Sequence, residues 1–426
     1  MTSKKIFLGM LAMLLAFSSV FGGGSSQSRA SSGTNLRMMY WDPSQEEVLT
    51  RINNMFIEKH PGVTITLENI PGDAYDQVLR TRLLSGDGPD VYFFWGSRLW
   101  EQGRDGHYGD ITDEPFTRNV AAAFLGSATY NGRVYGIPLD TAANGVFYNK
   151  SVFERAGVAG PPRNYAEFLD ICQKIKDIGI EPIAMGGADL WVQLHWLGPL
   201  YNAFVAARNP DIQADLFDGR TRFSTDPGFR EMFARYKELI DRGYITRGAL
   251  STTHTQSEQE VADGNCGMIF MGNWVYGGLM AANPNARIGS FLLPNNEGRT
   301  VAGGAPDKGI GYWKDGKNIA LAKELLAFYA SPEINQIFCT ATASLPCIIG
   351  AEPDLGETLK THGSLVAAQQ YMVTWMDIFY PVAMQDSWRK DAQSLLGGSI
   401  TVDRLLANMD EAYNRDRNTL QRPSIR

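Results

Sequence analysis

The feature that most constrains the fold is a regular alternation of strand and helix patterns at the start of the chain. Residues 36–41 form a short apolar strand, and residues 90–95 form a strand that is apolar throughout. Between them, residues 63–68 alternate apolar and polar side chains, which predicts a half-buried strand. Helical patterns begin at Pro43 and at residue 74 and fill the two gaps. Because parallel strands need such crossover helices, the alternation predicts an α/β fold built on a parallel sheet.

The rest of the chain continues with helices and shorter strands. Asn164, with Glu167 three residues later, predicts a helix start. Asp226 followed by Pro227 predicts another. Strands are expected at 266–271 and 288–293, and a C-terminal helix at 401–413. Neither an internal repeat nor a Pro- or Ser-rich linker divides the chain after its leader. We therefore expect the chain to cross between its domains more than once.

The N-terminus has the layout of a secretory signal. Lys4 and Lys5 precede an apolar stretch at 6–21, and a glycine- and serine-rich segment follows. Such a signal is excluded from the fold. A membrane anchor is the alternative interpretation, although the apolar stretch is short for a span. Gly23 or Gly24 stands where a bacterial lipoprotein carries its cysteine, so we expect an exported, periplasmic or cell-surface protein whose lipid anchoring is doubtful.

Charge and motif content exclude several classes of function. The chain has 39 basic and 46 acidic residues, a net charge of −7, and no basic cluster of the kind that nucleic-acid binding needs. The five histidines lack metal-ligand spacing. A near match to a phosphate-binding loop at 311–318 ends on Asn318, where magnesium binding requires Ser or Thr. We expect no metal, no cofactor and no nucleic-acid partner.

Four cysteines are too few for a disulfide scaffold. Cys339 and Cys347 lie close in sequence in a chain predicted to be exported, so a disulfide between them is one interpretation. Two buried thiols are the alternative, because a sequence cannot show the Cα separation that a disulfide requires. Cys172 and Cys266 are predicted to be core residues.

Six short segments occur in the order in which one protein family carries them. They are 86–91 (GDGPDV), 130–138 (YNGRVYGIP), 147–157, 161–168, 263–274 and 317–333. Together they resemble the family 1 extracellular solute-binding proteins, the capture subunits of bacterial ABC sugar importers. The resemblance implies a type II periplasmic-binding-protein-like α/β fold. In that fold, three crossover segments join two α/β lobes, and the ligand cleft lies between the lobes.

The resemblance also implies a division of this chain. After a leader at 1–30, the N-terminal lobe is expected at 31–141 plus 305–350 and the C-terminal lobe at 145–301 plus 355–426. The three crossings are expected near 141–145, near 302–305 and around Gly350, where the sequence is polar and rich in glycine.

The tryptophans suggest the ligand. The C–H faces of a sugar stack on flat aromatic rings, and its hydroxyls take directed hydrogen bonds from charged or amide groups. Open α/β sheets bind ligands at strand ends that face a crevice. Tryptophans with polar neighbours at predicted strand ends or loops are Trp41 with Asp42, Trp95, Trp191 with Asp189, Trp274 with Asn273, and Trp388 after Asp386.

By position, the resemblance implies sugar contacts from Trp41, Asp42, Glu68, Trp95 and Trp274. It also places Asp189 and Trp191 as an acid and a stacking aromatic. Where the family carries a further acid this chain has Ala142, so Asp140 is taken instead. For each tryptophan the alternative is core packing, to which Trp100, Trp196, Trp313 and Trp375 are assigned, and Asp42 could instead cap the first helix.

The sequence therefore predicts a non-enzymatic, monomeric binding protein. Its ligand would be a di- or oligosaccharide, and its partners the membrane permease subunits of an ABC importer. A binder of a charged non-sugar solute is one alternative. A secreted glycoside hydrolase is another, since two carboxylates such as Glu68 and Asp189 could flank a scissile bond.

Overall fold

The structure is a computed structural model that describes residues 33–369 and 372–420. The predicted leader lies outside the described residues. Fourteen strands occur in the described part: β1 Thr34–Tyr40, β2 Val63–Asn69, β3 Val91–Trp95, β4 Thr129–Tyr130, β5 Arg133–Val134, β6 Ile137–Pro138, β7 Asp140–Asn149, β8 Glu181–Ala184, β9 Cys266–Gly272, β10 Ile288–Phe291, β11 Ala302–Pro306, β12 Lys308–Tyr312, β13 Leu345–Pro346 and β14 Met372–Val373.

The α-helices of the described residues are α1 Glu46–Lys59, α2 Gly72–Ser85, α3 Leu99–Arg104, α4 Ala122–Leu125, α5 Lys150–Arg155, α6 Tyr165–Asp177, α7 Leu190–Trp196, α8 Gly198–Tyr201, α9 Ile212–Phe217, α10 Pro227–Asp241, α11 His254–Ala262, α12 Val275–Ala282, α13 Ile319–Tyr329, α14 Pro332–Ala341, α15 Gly356–Ala367, α16 Val382–Leu396 and α17 Val402–Asp416. The predicted helix starts are confirmed. Asn164 accepts a hydrogen bond from the backbone of Glu167, and the Asp226 carboxylate accepts two from the first turn of α10.

The first sheet has the strand order β2-β1-β3-β12-β6. Strand β1 pairs in parallel with β2 and β3, and helices α1 and α2 connect these strands. This confirms the parallel sheet that the sequence predicts. Strand β12 arrives from far along the chain and pairs antiparallel with β3. Because β1 and β3 are parallel, their carboxyl ends lie side by side. Trp95 of β3 is opposite Lys308 of β12.

The second sheet has the order β14-β11-β7-β9-β8, with β10 and β13 also paired to β7. Its long central strand β7 is buried along its whole length. The start of β7 pairs with β11 and β13, and its end pairs with β9 and β10. Strand β7 is thus the element through which the chain first leaves the neighbourhood of the first sheet.

Two large clusters of buried hydrophobic side chains accompany the two sheets. One draws on side chains from Leu36 to Leu139 and from Ile310 to Ala351. The other draws on side chains from Val146 to Val301 and from Leu355 to Tyr413. The chain consequently passes between the clusters three times: along β7, along β11 and β12, and in the segment between α14 and α15 that includes β13. We call these passages the first, second and third crossings, and the two clusters with their sheets the N-terminal and C-terminal lobes.

In the described residues, no helix has both the length and the apolar character that a membrane span requires.

Candidate ligand site between the lobes

A stacked pair of tryptophans lies at the carboxyl edge of the first sheet. Trp41 follows β1 and Trp95 ends β3, and their half-buried rings are 4.9 Å apart and 11° from parallel. The parallel pairing of β1 and β3 explains this, because it brings the two strand ends to the same edge of the sheet. The structure therefore brings together two of the tryptophans predicted to bind ligand.

Tyr75 of α2 holds this pair in place. Its ring meets Trp41 and Trp95 edge-on, at 5.4 and 5.9 Å between ring centres. Its hydroxyl donates toward the carbonyls of Met39 and Phe93, at 3.2 and 2.7 Å, and so bridges β1 and β3. Complete burial raises the pKa of Tyr75 well above its usual value, which keeps this hydroxyl protonated and able to donate.

A second group of rings, which we call the aromatic cluster, belongs to the C-terminal lobe. It consists of Trp191, His195, Trp274 and Trp375. The His195 ring meets each tryptophan edge-on, with centres 5.9 Å from Trp191, 5.1 Å from Trp274 and 5.6 Å from Trp375. Trp191 and His195 are four residues apart on α7 and so share one face of that helix. Trp375 is only 5% exposed, whereas the other three are half-buried.

The aromatic cluster rests against the crossings. Trp375 packs with Ala142 of β7 and Ala305 of β11, and Trp274 packs against the same small group. The Trp274 ring folds back over its own strand, where a Cβ on Gly272 would lie 2.0 Å from a ring carbon. A glycine two residues before the tryptophan is thus required for this arrangement.

The predicted acids take different positions. Asp189 stands before α7, and its Oδ2 accepts a 2.6 Å hydrogen bond from the backbone N–H of His254, whose ring packs against Trp191. This places Asp189 beside the aromatic cluster. Asp42 caps the helical turn after β1 by accepting bonds from Ser44 and Gln45, as its alternative interpretation expected.

Glu68 and Asp140 are engaged in ion pairs within the protein. Glu68 pairs with Arg37 at 2.8 Å and with Arg82. Asp140 has no exposed side chain and accepts from the backbone N–H of Lys308 at 2.7 Å, with the Lys308 ammonium at 3.3 Å. Burial lowers the pKa of Lys308, but the carboxylates of Asp140 and Asp307 outweigh it and raise that pKa, so the lysine stays charged. Two carboxylates committed in this way have little capacity left for a ligand.

Asn273 and Trp388 also differ from their predicted roles. Asn273 is 2% exposed and bonds to backbone groups of two crossings. Trp388 is 1% exposed and packs between Phe233 and Tyr380 in the core of the C-terminal lobe. An indole enclosed in this way offers no face to a ligand. The polar neighbour of each residue in sequence proved a poor guide to its surroundings.

The suggested disulfide is not formed in the structure. Cys339 and Cys347 are free, buried thiols, as are Cys172 and Cys266. Burial raises the pKa of Cys339 and Cys347, which keeps both thiols protonated. The described residues also contain no group of three or more His, Cys, Asp or Glu side chains that could hold a metal ion.

Sequence reasoning missed two residues of this region, Tyr75 and His195. The four-residue spacing of Trp191 and His195 was a signal for His195. Tyr75 gave none, because its partners lie on elements that are distant in sequence. Trp375 is buried, as its assignment to packing predicted.

The chain matches a known protein family and several individual relatives. The family model described as bacterial extracellular solute-binding protein matches residues 42–336. A Brucella abortus binding protein is 25% identical over 57% of this chain, and the match spans only 58% of that relative's length. The multiple sugar-binding protein of Streptococcus mutans is 22% identical over 93% of this chain and 96% of its own.

Two solved structures share the fold over nearly the whole chain. A chitin oligosaccharide binding protein has a TM-score of 0.82 and 21% identity, covering 91% of this chain and all of its own. A solute-binding protein in complex with raffinose has a TM-score of 0.77 and 20% identity, covering 90% and 100%. At this identity the likeness shows the fold, with two α/β lobes and three crossings. Since the family model covers well over half of the chain, the protein belongs to the bacterial extracellular solute-binding protein family.

Proposed function

We propose that this protein captures a di- or oligosaccharide between its lobes and delivers it to the permease subunits of an ABC importer. One observation carries the proposal: each lobe presents an aromatic surface, and both surfaces adjoin the second crossing. Trp95 of the stacked pair is opposite Lys308, and the aromatic cluster packs on Ala305. Ala305 and Lys308 are three residues apart, which is at most about 10 Å of extended chain, so the two surfaces adjoin neighbouring positions of the same crossing.

The chemistry of the two aromatic surfaces suits a sugar. The outer faces of stacked rings take up C–H faces of pyranose rings, and imidazole and carboxylate groups supply directed hydrogen bonds to hydroxyls. We propose Trp41, Trp95, Trp191, Trp274 and Asp189 as ligand contacts and add His195, whereas the buried Trp375 supports these rings from behind. Asp42 is kept as a ligand contact although one of its carboxylate oxygens already caps a helix turn. We omit Glu68, Asp140, Asn273 and Trp388 because internal partners or core burial engage them.

Several further features belong to the same proposal. We take the protein to be exported, monomeric and divided at the lobe boundaries predicted from the sequence. Supporting the ligand class, relatives that this chain matches include proteins named as sugar-binding, and solved structures of the same fold were obtained with raffinose and stachyose.

A binding screen tests the proposal. Purified protein is titrated with glucose, maltose, raffinose, stachyose and chitin oligosaccharides while tryptophan fluorescence and heat are recorded. We expect saturable binding of at least one member with two or more sugar units. The absence of binding to all members, in protein whose folding is verified, would contradict the sugar assignment. Hydrolysis products would favour the glycoside hydrolase alternative, and strongly salt-dependent binding of a charged solute would favour the other.

A further inference from the structure

Asn273 stands next to a proposed ligand contact, yet its side chain is used entirely inside the protein. Its Oδ1 accepts a 2.8 Å hydrogen bond from the backbone N–H of Ala143, and its own backbone N–H donates to the Ala143 carbonyl at 3.1 Å. Its Nδ2 donates to the carbonyl of Ala343 at 3.1 Å. Ala143 belongs to β7 in the first crossing, and Ala343 lies just before β13, where the third crossing begins. One side chain thus links two crossings.

The neighbouring tryptophan packs beside the remaining crossing. Trp274 meets Trp375 edge-on at 5.6 Å and packs against the small group that joins Trp375 with Ala305 of β11 in the second crossing. Asn273 and Trp274 are therefore connected, directly or through Trp375, to all three crossings. A ligand that presses on the Trp274 ring acts on a segment joined to every strand that must bend when the lobes move.

The bond to Ala343 involves strained backbone. Ala343 has a φ of +52°, in the left-handed region that is unfavourable for a residue with a Cβ. The backbone N–H of the next residue, Ser344, donates to Cys339 at 3.0 Å, and the Asn273 amide holds the Ala343 carbonyl. These two bonds fix the strained residue from both sides, so losing the amide would release one of them.

We propose that Asn273 is a positioning residue that couples ligand contact at Trp274 to the hinge formed by the three crossings. The coupling of a sugar rests on the proposed function, whereas the hinge role does not. The amide sets the geometry of the first and third crossings relative to each other, and a ligand that fixes Trp274 thereby favours one arrangement of the lobes. Only such a difference in affinity between arrangements lets a ligand shift their populations.

The test measures the distance between the lobes. Spin labels are attached through Leu84→Cys and Ile178→Cys, two exposed positions on different lobes, while the four native thiols are buried. Distance distributions are recorded by pulsed electron spin resonance without ligand and with saturating stachyose. Asn273→Ala removes both side-chain bonds. Asn273→Asp keeps the acceptor for Ala143 and loses the donor to Ala343.

Asn149→Ala is the matched control. Asn149 is similarly buried, and its amide bonds to Val261 and to the first turn of α5, all within the C-terminal lobe. We expect both alanine variants to lower the melting temperature, but only Asn273→Ala to broaden the ligand-free distance distribution. Asn273→Asp should show an intermediate width and keep the protein folded should the alanine variant fail to fold. For a sugar that the wild type binds, Asn273→Ala should weaken affinity about tenfold and lower the closed fraction at saturation.

Distributions for Asn273→Ala or Asn273→Asp that equal those of the wild type and of Asn149→Ala would overturn the inference. If the wild type binds no sugar of the screen, the proposed function fails, while the ligand-free distributions still decide the hinge role.

Discussion

The two aromatic surfaces are built in different ways. The stacked pair Trp41–Trp95 is nearly parallel and is fixed by Tyr75, which bonds to carbonyls of the same lobe. The aromatic cluster meets edge-to-face around His195 and rests on alanines of two crossings. The stacked pair therefore depends only on contacts within its own lobe, whereas the aromatic cluster depends on the crossings. If the crossings act as the proposed hinge, a ligand bound at the aromatic cluster acts on that hinge and a ligand bound at the stacked pair does not.

The largest effect is expected from removing the Trp274 indole of the aromatic cluster. Trp274→Ala should weaken binding of a sugar found in the screen about 100-fold, about 3 kcal/mol, because a desolvated aromatic contact is lost. Trp41→Ala should cost only about tenfold, because Trp95 remains stacked behind it. Isothermal titration calorimetry measures both. Trp100→Ala, at a tryptophan packed under Arg104, should leave affinity unchanged, and equal affinities in all three variants would remove the distinction between the surfaces.

Acid should weaken the C-terminal lobe beside the first crossing. His362 is buried against the carbonyl of Ala143 at 3.2 Å, and burial lowers its pKa from 6.5 to about 4. The unfolded chain takes up a proton near pH 6.5 that the folded protein refuses until about pH 4. The free energy of unfolding should therefore be highest above pH 6.5 and fall by about 3 kcal/mol toward pH 4.

The variant His362→Gln isolates this contribution, since glutamine can still donate to Ala143 and does not titrate. Urea unfolding at pH 7 and pH 4.5 should show a smaller loss of stability on acidification than in the wild type. Equal losses in the two proteins would show that His362 is not the group responsible.

A methyl group on Gly272 should displace one ring of the aromatic cluster without removing it. Gly272→Ala places a Cβ 2.0 Å from the Trp274 ring and forces that ring outward. We expect a loss of about 2 kcal/mol in stability and a clear loss of sugar affinity. Gly277→Ala is the control, since its Cβ meets nothing within 4 Å and lies in α12, where alanine favours the helix. Thermal unfolding and calorimetry on both variants measure the contrast.

The smallest effect is expected from removing a hydrogen bond that supports the stacked pair. Tyr75→Phe keeps the ring and removes the hydroxyl that bridges β1 and β3, which should cost about 1 kcal/mol of stability and a few-fold in affinity. Tyr108→Phe also removes a buried hydroxyl that donates to a strand carbonyl of the same lobe, that of Tyr92. It should lower stability similarly and leave affinity unchanged. A Tyr75→Phe protein with wild-type affinity would show that the stacked pair needs no such support.

Features that depend on local chemistry were predictable. The alternation in 63–68 and the apolar run at 90–95 identified β2 and β3, because strand side chains repeat every two residues and central parallel strands are buried on both faces. The caps at Asn164 and Asp226 were predictable because their partners lie two or three residues away. The positions of Trp41 and Trp95 at strand ends were predictable too, but their stacking was not, because it depends on which strands lie side by side.

Charged and amide groups were harder to assign. Glu68 and Asp140 carry the carboxylate that a sugar hydroxyl would need. Arg37 and Arg82 pair with Glu68 instead, and Lys308, which is 168 residues away in the chain, pairs with Asp140. Which partner a carboxylate takes is decided by which elements the fold brings near, and a buried charge requires such a partner.

By itself the sequence determined the α/β class, several helix starts, the ordered motifs of the family and the tryptophans available for a sugar, because each rests on short-range patterns of burial and hydrogen bonding. Only the tertiary structure decided which of those tryptophans meet, that Trp388 belongs to the core, and that Asn273 links the first crossing to the third. Those outcomes depend on contacts between elements far apart in the chain, and no local pattern encodes which distant strand lies alongside.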